Sequence, residues 1–498
     1  MVFSSMVFLW IFLPVVFVLG AIFRKPKYQN IILLIASLIF YAWGEPRYIF
    51  LLLFSIAMNY TFGLLIGEGE PLESAGKDKS EGTGGKRSVP YVTVKRTGRE
   101  RLWLILDIVL NLGLLGYFKY TNFILNTLDH LIPQINLPRA DISLPIGISF
   151  FTFQAMTYVI DLYRGSYKVQ RNPLNLALYI SFFPQLIAGP IVKYREIDEQ
   201  IMNRTMTREK VASGFRRFCY GLGKKVLIAN AVAVAVDKIF ALPDRQMTGA
   251  LAWCGALLYT LQIYYDFSGY SDMAIGMGRM FGFEFLENFN LPYISRSISE
   301  FWRRWHISLG SWFREYLYIP LGGNRKGKLR SYVNLAIVFA VTGLWHGASW
   351  NFVGWGIYHG FFRIIERLGL EKLLKKFKVL SWFYTFVVVV VGWVFFRVES
   401  VRKGFRIVWC MFLPWLYRPV GGDRTLIMVM SPHVIFSMVC GLLGMGLIQL
   451  LFTRGRLAAV GSKWKNSIPE AIFCGFLLFY SIMQMANNAY NPFIYFRF

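Results

Sequence analysis

The stretch YVNLAIVFAVTGLWHGASWNFVGWGIYHGFF, residues 332–362, is uncharged apart from its histidines. Basic residues flank it on both sides, Arg330 before it and Arg363 after it. Basic loops face the cytoplasm under the positive-inside rule, so the stretch is predicted to enter a membrane and return, turning at residues 343–351. The arm before the turn rises only about 21 Å, short of a hydrocarbon core of about 30 Å. His346 is therefore predicted to lie inside the membrane and to be reached from the cytoplasm.

The composition places the whole chain in a membrane. Of its 498 residues, 55% are hydrophobic and 16% are charged, against roughly 25% charged in a soluble domain. Uncharged apolar runs that are long enough to cross a bilayer as a helix lie at residues 7–23, 48–66, 247–265, 379–396 and 434–452. These runs predict an all-α polytopic membrane protein, with residues 1–498 forming a single integral-membrane domain.

The basic residues orient the chain. Cytoplasmic loops that face anionic lipid explain the formal net charge of +26, so no nucleic-acid partner is expected. Arg24, Lys25 and Lys27 follow the first run, which is predicted to be a retained span with the N-terminus outside. Residues 67–101 are rich in Gly and Ser and carry eight Lys and Arg, which predicts a flexible cytoplasmic loop. Counting the later spans places residues 487–498, an aromatic tail, outside as well.

Two segments do not fit a straight span. SFFPQLIAGPIVKYRE, residues 181–196, carries Pro184 and Pro190 within apolar sequence, which predicts a broken or re-entrant segment. Residues Ile298–Tyr316 have an apolar stripe at helical spacing opposite charged residues. That pattern predicts a helix that lies in the membrane interface. The path of residues 174–330 as a whole is left open.

His346 is the first candidate for chemistry, because an ionisable residue at membrane depth is costly and usually functional. No second metal ligand lies three or four residues away, and His359 falls about 220° around an ideal helix, so no metal site is predicted. One interpretation is proton transfer, for which a neutral imidazole is suited. The other is a core histidine bonded to a backbone carbonyl, and the residues alone leave both open.

His306 lies at the edge of the apolar stripe, close to Arg303 and Arg304. The planar guanidinium groups match phosphate oxygens, so the two arginines are candidates for holding the phosphates of a cytoplasmic cofactor. Binding of lipid headgroups is the alternative explanation of the same pattern.

Asp266, Asp272 and Arg279 stand in apolar surroundings, where charged groups must pair or contact water. We expect structural ion pairs there. The chain has no G-x-S-x-G elbow or P-loop, which disfavours a self-contained serine hydrolase or NTPase. Its five cysteines stand singly, without metal-ligand spacing.

Three long stretches carry a resemblance to a known family. They are DFSGYSDMAIGMGRMFGF at 266–283, ENFNLPYISRSISEFWRRWHISLGSWFREYLYIPLGGNRKG at 287–327 and GLWHGASWNFVGWGIYHG at 343–360. They resemble the membrane-bound O-acyltransferase (MBOAT) family, in its bacterial branch of alginate and peptidoglycan O-acetyltransferases. FYAWGEPRY at 40–48 and LPIGISFFTFQAMTYVIDLYRG at 144–165 are similar to that branch too, so the resemblance covers nearly the whole chain.

The resemblance implies a fold and a site. The fold is an MBOAT-type helical bundle with about 11 transmembrane helices plus re-entrant and interfacial helices, and the catalytic core falls at residues 266–362. The histidine of the WHG motif maps onto His346 and that of FWRRWHIS onto His306, both as catalytic residues. The donor is expected to be cytoplasmic acetyl-CoA, without a metal. The expected location is the bacterial cytoplasmic membrane.

The resemblance also implies partners. An extracytoplasmic protein with a serine-esterase-like fold is expected to complete the transfer onto a polysaccharide acceptor. The expected function is O-acetylation of a cell-envelope polysaccharide, alginate-like, peptidoglycan or cellulose. The alternatives are a transporter or flippase for an envelope precursor, and a family member that transfers another acyl group such as D-alanine.

The aromatic tail carries a second resemblance. FIYFRF, residues 493–498, is similar to the terminal motif of a small protein of the teichoic-acid D-alanylation system. That likeness implies that Tyr495 is a transient acyl carrier, with Phe493 and its neighbouring aromatic rings as anchors. An aromatic plug at the membrane interface, where Tyr is common, is the alternative.

Overall fold

The computed structural model describes residues 1–67, 70–71, 94–133, 141–416, 422–448, 463–487 and 491–493. These residues are predominantly helical, which confirms the all-α prediction. The contacts divide the chain into two compact units: a first unit of Met1, Val7–Ala212 and Gly278–Phe285, and a second unit of Val2–Met6, Ser213–Met277 and Leu286–Phe498.

The first unit contains nine helices among its described residues. They are α1 (Leu13–Ile22), α2 (Pro26–Gly44), α3 (Ile49–Ile66), α4 (Gly98–Leu115), α5 (Thr121–Leu131), α6 (Ile148–Tyr163), α7 (Pro173–Ser181), α8 (Phe183–Leu186) and α9 (Tyr194–Asn203). A two-residue antiparallel pair joins β1 (Glu70–Pro71) to β2 (Val94–Lys95).

The helices that follow belong almost entirely to the second unit. They are α10 (Arg208–Gly223), α11 (Asn230–Phe240), α12 (Gly249–Met280), α13 (Ile298–Arg304), α14 (Ile307–Phe313), α15 (Lys328–His346), α16 (Trp350–Ile365), α17 (Glu371–Leu374), α18 (Lys378–Arg397), α19 (Val401–Phe412), α20 (Gly422–Val429), α21 (Pro432–Leu442) and α22 (Ile468–Asn487). Short π-helical turns lie at Phe8–Phe12, Gly116–Tyr120, Lys224–Ala229, Arg314–Tyr318, Glu366–Leu370 and Leu443–Leu447, and 3-10 turns at Asp244–Gln246, Pro292–Ile294 and Pro414–Leu416.

Five helices of the described residues are long and apolar enough to cross a membrane: Ile49–Ile66, Gly98–Leu131, Arg208–Phe240, Lys378–Arg397 and Ile468–Asn487. Phe8–Ile22 and Pro432–Gly446 are shorter apolar helices. The membrane character predicted from the composition is therefore matched by the helices themselves.

The proline-containing segment of the first unit is broken, as predicted. Helix α7 ends at Ser181, the four-residue α8 carries Pro184 in its first turn, and the backbone from residue 187 to 193 is not helical. Proline is tolerated in a first turn because its missing N–H has no helical partner there. A side chain on Gly189 would lie 2.5 Å from Gln185 Cα, so this tight turn requires glycine.

The predicted loop at 67–101 is shorter in the structure, because α4 already begins at Gly98. Thr97 and Glu100 form a capping box, in which each side chain accepts a hydrogen bond from the other residue's backbone. Arg96 donates to the carbonyl oxygens of Leu162, at 2.5 Å, and Tyr163, at 2.8 Å. Residues 72–93 of the predicted loop lie outside the described residues.

In the second unit, α10 and α12 meet backbone to backbone. A Cβ on Gly221 would lie 2.6 Å from the carbonyl oxygen of Gly269, and one on Gly276 would lie 2.6 Å from that of Gly214. Small residues permit this close approach between helices. The contact brings the cations of α10 and the following turn against the acids of α12.

The expected ion pairs of Asp266 and Asp272 form at this contact. Their partners are cations of α10 and of the turn after it, and not Arg279. Asp272 pairs with Arg217, at 2.8 Å, and with Lys224, at 2.6 Å. Asp266 pairs with Lys225 at 2.6 Å, and both side chains are almost completely buried. Arg217, Lys224 and Lys225, which lie in the part of the chain whose path the sequence left open, are thus paired with acids inside the protein.

The prediction of one continuous helix over Ile298–Tyr316 is wrong. The segment forms two short helices, α13 and α14, separated by Trp305 and His306, and His306 has a left-handed backbone with φ 45°. Periodicity did not reveal the break, because the break depends on pairing with residues far along the chain. Ile307 N–H donates to the carbonyl of Asn288, and Asn290 N–H donates to that of Arg304, each at 2.9 Å.

The turn predicted at residues 343–351 is confirmed as the turn of a helical hairpin. Helices α15 and α16 are joined by a short turn after His346 and pack along each other. A Cβ on Gly343 would lie 2.3 Å from Phe352 O, and one on Gly356 would lie 2.2 Å from Phe339 O. The two helix backbones therefore touch, and a larger residue at either glycine would separate them.

We predict that Gly356→Ala destabilises the protein, because its methyl group overlaps a carbonyl oxygen that belongs to a rigid helix. The expected loss is about 1–3 kcal/mol, measured as a lower melting temperature in detergent. Gly354→Ala is the matched control, since a Cβ there meets only Val401 at 3.8 Å and alanine favours helix by about 1 kcal/mol. Equal melting temperatures for the two variants would contradict the close packing.

Candidate active site

The hairpin turn places the first candidate residue. His346 is the last residue of α15, and Gly347 follows it with extended backbone. A Cβ on Gly347 would lie 2.2 Å from the ring of Phe352, so glycine is required after the histidine. On the other side of the turn, the amide of Asn351 donates to the carbonyl of Val398 at 2.8 Å. The turn is therefore held against the end of α18.

His346 sits in an aromatic box. Its ring centroid lies 5.0 Å from that of Trp345, 5.2 Å from that of Trp355 and 5.3 Å from that of Phe396. The residue is only 6% exposed. The imidazole of His346 is therefore enclosed almost completely by protein side chains, three of them aromatic.

His306 occupies the break between α13 and α14 and is bound through one ring nitrogen. Its Nδ1 lies 3.1 Å from Oδ1 of Asn288. That oxygen also accepts hydrogen bonds from the backbone N–H of Ser308, at 3.2 Å, and from its hydroxyl, at 2.9 Å. Because the amide oxygen can only accept, Nδ1 must carry the proton. Nε2 then carries the lone pair, and among the described residues it has no hydrogen-bond partner.

Helix α12 forms the wall behind His306. The ring of Phe267 meets the imidazole edge to face at 4.6 Å. One turn further on, Ser271 Oγ accepts a hydrogen bond of 3.1 Å from the amide of Asn288. The residue that orients His306 is thus itself oriented by α12.

The structure brings the two candidate histidines together. Their ring centroids are 6.5 Å apart, although the residues are 40 positions apart in the chain. An oxygen atom with hydrogen bonds of about 2.8 Å to both rings fits this separation. Two imidazoles this close repel each other when both are cationic, so the pair favours states in which at most one ring is cationic. The arrangement can take a proton from a hydroxyl group held between the rings.

His359 is not part of this pair. It is fully buried against Trp302, at 5.1 Å, and Trp355, at 5.2 Å, and a Cβ on Gly392 would lie 2.5 Å from its Nε2. Within the described ranges, no group of three or more His, Cys, Asp or Glu side chains is placed to hold a metal ion. His359 is a packing residue between α13, α16 and α18.

The two arginines next to His306 have different surroundings. Arg304 donates to Glu300 Oε1 at 2.8 and 2.9 Å and to the carbonyl of Asn290 at 3.0 Å. Arg303 is exposed.

The start of α13 is fixed by the buried Glu366, which accepts hydrogen bonds from the backbone N–H groups of Ile298, at 2.5 Å, and Ser299, at 3.0 Å.

The structure describes only the beginning of FIYFRF. Phe493 is buried and stacks on Tyr270 of α12 at 4.8 Å. Tyr495 and the aromatic residues after it lie outside the described residues. The described part of the tail therefore packs on the helix that forms the wall of the histidine pair.

Sequence reasoning missed Asn288 and Glu366. Both act on residues that are distant in the chain, 18 positions for Asn288 and 68 positions for Glu366. The one available signal was a polar or acidic side chain next to apolar sequence, which also describes many surface residues.

Comparison with known proteins identifies the family. The family model described as "MBOAT, membrane-bound O-acyltransferase family" matches residues 143–402. A probable alginate O-acetylase of Pseudomonas putida is 40% identical over 518 residues, which cover 100% of both chains. A peptidoglycan O-acetyltransferase of Helicobacter pylori is 37% identical over 82% of this chain and 79% of its own. A teichoic acid D-alanyltransferase of Bacillus subtilis is 30% identical over 49% of this chain and 64% of its own.

We predict that Asn288→Ala lowers the free energy of unfolding by about 1–3 kcal/mol, because buried donors on His306 and Ser308 lose their acceptor. Asn288→Asp keeps the acceptor and is expected to lose less. Asn290→Ala is the matched control, since that side chain is exposed. Melting temperatures in detergent check the order, and an Asn288→Ala variant as stable as Asn290→Ala would contradict the network.

Proposed function

The chain belongs to the membrane-bound O-acyltransferase family and is an O-acetyltransferase of the membrane; from that premise we propose the following route for the acetyl group. It passes from cytoplasmic acetyl-CoA to an acceptor hydroxyl held at the histidine pair, and from that acceptor to an extracytoplasmic partner that acetylates a cell-envelope polysaccharide. The N-terminus and residues 487–498 face outside in this proposal. The catalytic core comprises residues 266–362.

One observation carries the proposal: two buried imidazoles stand 6.5 Å apart at helix ends. General base catalysis needs a neutral imidazole within reach of a hydroxyl group. His346 takes the proton of the acceptor hydroxyl, while His306, held by Asn288 as the Nδ1–H tautomer, presents an unprotonated Nε2. The closeness of the rings keeps His306 neutral while His346 is protonated.

The transfer balances without a metal or a second cofactor. The acceptor oxygen forms a C–O bond to the acetyl carbon, and the C–S bond of the thioester breaks. The proton moves from the acceptor hydroxyl to His346 and then to the departing thiolate. A polar donor such as acetyl-CoA does not cross the bilayer, so its thioester end is presented from the cytoplasmic side.

Tyr495 is the first acceptor in this scheme, and its phenolic ester is then attacked by a serine of the extracytoplasmic partner with a serine-esterase-like fold. Arg303 is the better candidate for the phosphates of the donor, because it is exposed and its planar group matches phosphate oxygens. Arg304 is already paired with Glu300. It adds positive charge beside Arg303 while it keeps this ion pair.

The acceptor follows from the relatives. Those that cover most of this chain are named for the O-acetylation of alginate and of peptidoglycan, so a polysaccharide of the cell envelope is proposed here. D-alanine is the less favoured acyl group, since the D-alanyltransferase relative aligns with 49% of this chain. Family membership favours the enzyme over the transporter.

We predict that His346→Gln reduces acetyl transfer by about 10²–10⁴-fold, the usual contribution of a general base. His306→Gln is expected to lose activity as well, because the pair acts as a unit. The measurement is release of free CoA from acetyl-CoA by purified protein in membranes that contain the partner and the polysaccharide. His433→Gln, at an exposed histidine, is the control, and wild-type turnover by His346→Gln would refute the proposed base.

We also predict that Tyr495 becomes acetylated. Incubation with isotopically labelled acetyl-CoA is expected to label the peptide that contains Tyr495, as read by mass spectrometry, and Tyr495→Phe is expected to abolish both the label and polysaccharide acetylation. Tyr490→Phe is the matched control in the same tail. Full polysaccharide acetylation by Tyr495→Phe would remove the carrier step and leave the acyltransferase assignment intact.

A further inference from the structure

Two segments from opposite ends of the sequence meet in the second unit. The amide of Asn491 donates to the carbonyl oxygen of Ser4 and to its hydroxyl, both at 2.8 Å. The Ser4 hydroxyl also lies 3.2 Å from Asn491 Oδ1. The residues are separated by 487 positions, so the contact is set by the tertiary structure alone.

The turn after α10 and the start of α11 supply the second side of this contact. Asn230 donates from Nδ2 to Asn491 Oδ1 at 3.1 Å. Lys225 donates from Nζ to the carbonyl oxygen of Pro492, while it pairs with Asp266 at 2.6 Å. The side chains of Lys225 and Asp266 are 3% and 2% exposed. The Lys225 ammonium group therefore joins Asp266 of α12 to the backbone of Pro492.

Aromatic stacking completes the contact. Phe493 stacks on Tyr270 with centroids 4.8 Å apart, and Tyr270 stacks on Phe3 at 4.4 Å. Lys225 Nζ lies 5.6 Å from the centroid of the Phe493 ring, within the range of a cation–π interaction. We call the five residues that receive Asn491–Phe493 the tail dock: Phe3, Ser4, Lys225, Asn230 and Tyr270.

The tail dock adjoins the histidine pair along α12. Tyr270 follows Phe267 by three positions, a rise of about 4.5 Å, and Phe267 packs against His306. Phe493 is therefore anchored about one helical turn from the wall of His306. Residue 495 follows Phe493 by two positions and can stand at most about 7 Å from it along an extended chain.

We propose that the tail dock is a positioning site: Ser4 and Asn230, through Asn491, and Tyr270, through Phe493, hold the tail so that the hydroxyl of residue 495 reaches the histidine pair. This inference rests on the proposed carrier role of Tyr495 and adds residues that never touch the acetyl group. The N-terminal segment thereby takes part in the reaction as one wall of the dock. A tail that is not bound in the dock samples many conformations. The effective concentration of its hydroxyl group at the histidine pair is therefore lower.

The test measures the rate at which labelled acetyl-CoA labels the Tyr495 peptide in the full chain. Asn491→Ala is expected to slow labelling at least tenfold without changing the KM for acetyl-CoA, since the donor site is intact. Asn487→Ala, at an exposed asparagine four positions earlier, is the control and is expected to label at the wild-type rate. Equal rates for Asn491→Ala and wild type would overturn the dock while leaving the carrier role standing.

A double-mutant cycle separates positioning from a general loss of folding. Ser4→Ala is expected to slow labelling, and Ser4→Ala/Asn491→Ala is expected to be no slower than Asn491→Ala alone, because both remove the same contact. Independent, multiplicative effects would overturn the inference. Phe493→Tyr keeps the stacking ring and is expected to restore most of the rate lost in Phe493→Ala. A wild-type chain that takes no label at Tyr495 would overturn the carrier step, and this inference with it.

Discussion

The direct contact of α15 with α16 is the constraint on which the site depends. Glycines at 343 and 356 let the two backbones approach until a methyl group would overlap a carbonyl oxygen. The hairpin is therefore rigid, and His346 at its turn is placed by packing instead of by a flexible loop. Trp345, Trp355 and Phe396 then enclose the imidazole, which excludes water and strengthens the electrostatic interactions around it.

The second histidine is positioned by a different device. A continuous helix from 298 to 316 would have kept His306 on the helix surface, at the edge of an apolar stripe. The break turns its backbone left-handed, which costs about 1–2 kcal/mol for a non-glycine residue. The hydrogen bonds to Asn288 offset this cost, since each contributes about 0.5–1.5 kcal/mol. Local strain of this kind is common at functional sites, where the surrounding structure maintains it.

Helix α12 connects the separate parts of the second unit. Its glycines touch α10, Asp266 and Asp272 neutralise the cations beside it, Phe267 supports His306, and Tyr270 receives Phe493. Charges buried in this way are costly in an apolar environment. Their ion pairs join α10 and the turn after it to α12, the helix that supports His306 and receives Phe493.

The sequence by itself determined the helical membrane class and the turn after His346, and it made His346 a candidate for chemistry, because apolar length, flanking charge and motif spacing are local properties that neighbouring residues carry. It did not reveal the break at His306, since the stripe from 298 to 316 has the periodicity of one helix. The partner of His306, the cation that pairs with Asp266 and the contact of Ser4 with Asn491 were decided by the tertiary structure only. Each of these interactions joins residues 18 to 487 positions apart, and the hydrogen-bonding or charge preference of a side chain does not encode which distant residue the fold will bring to it.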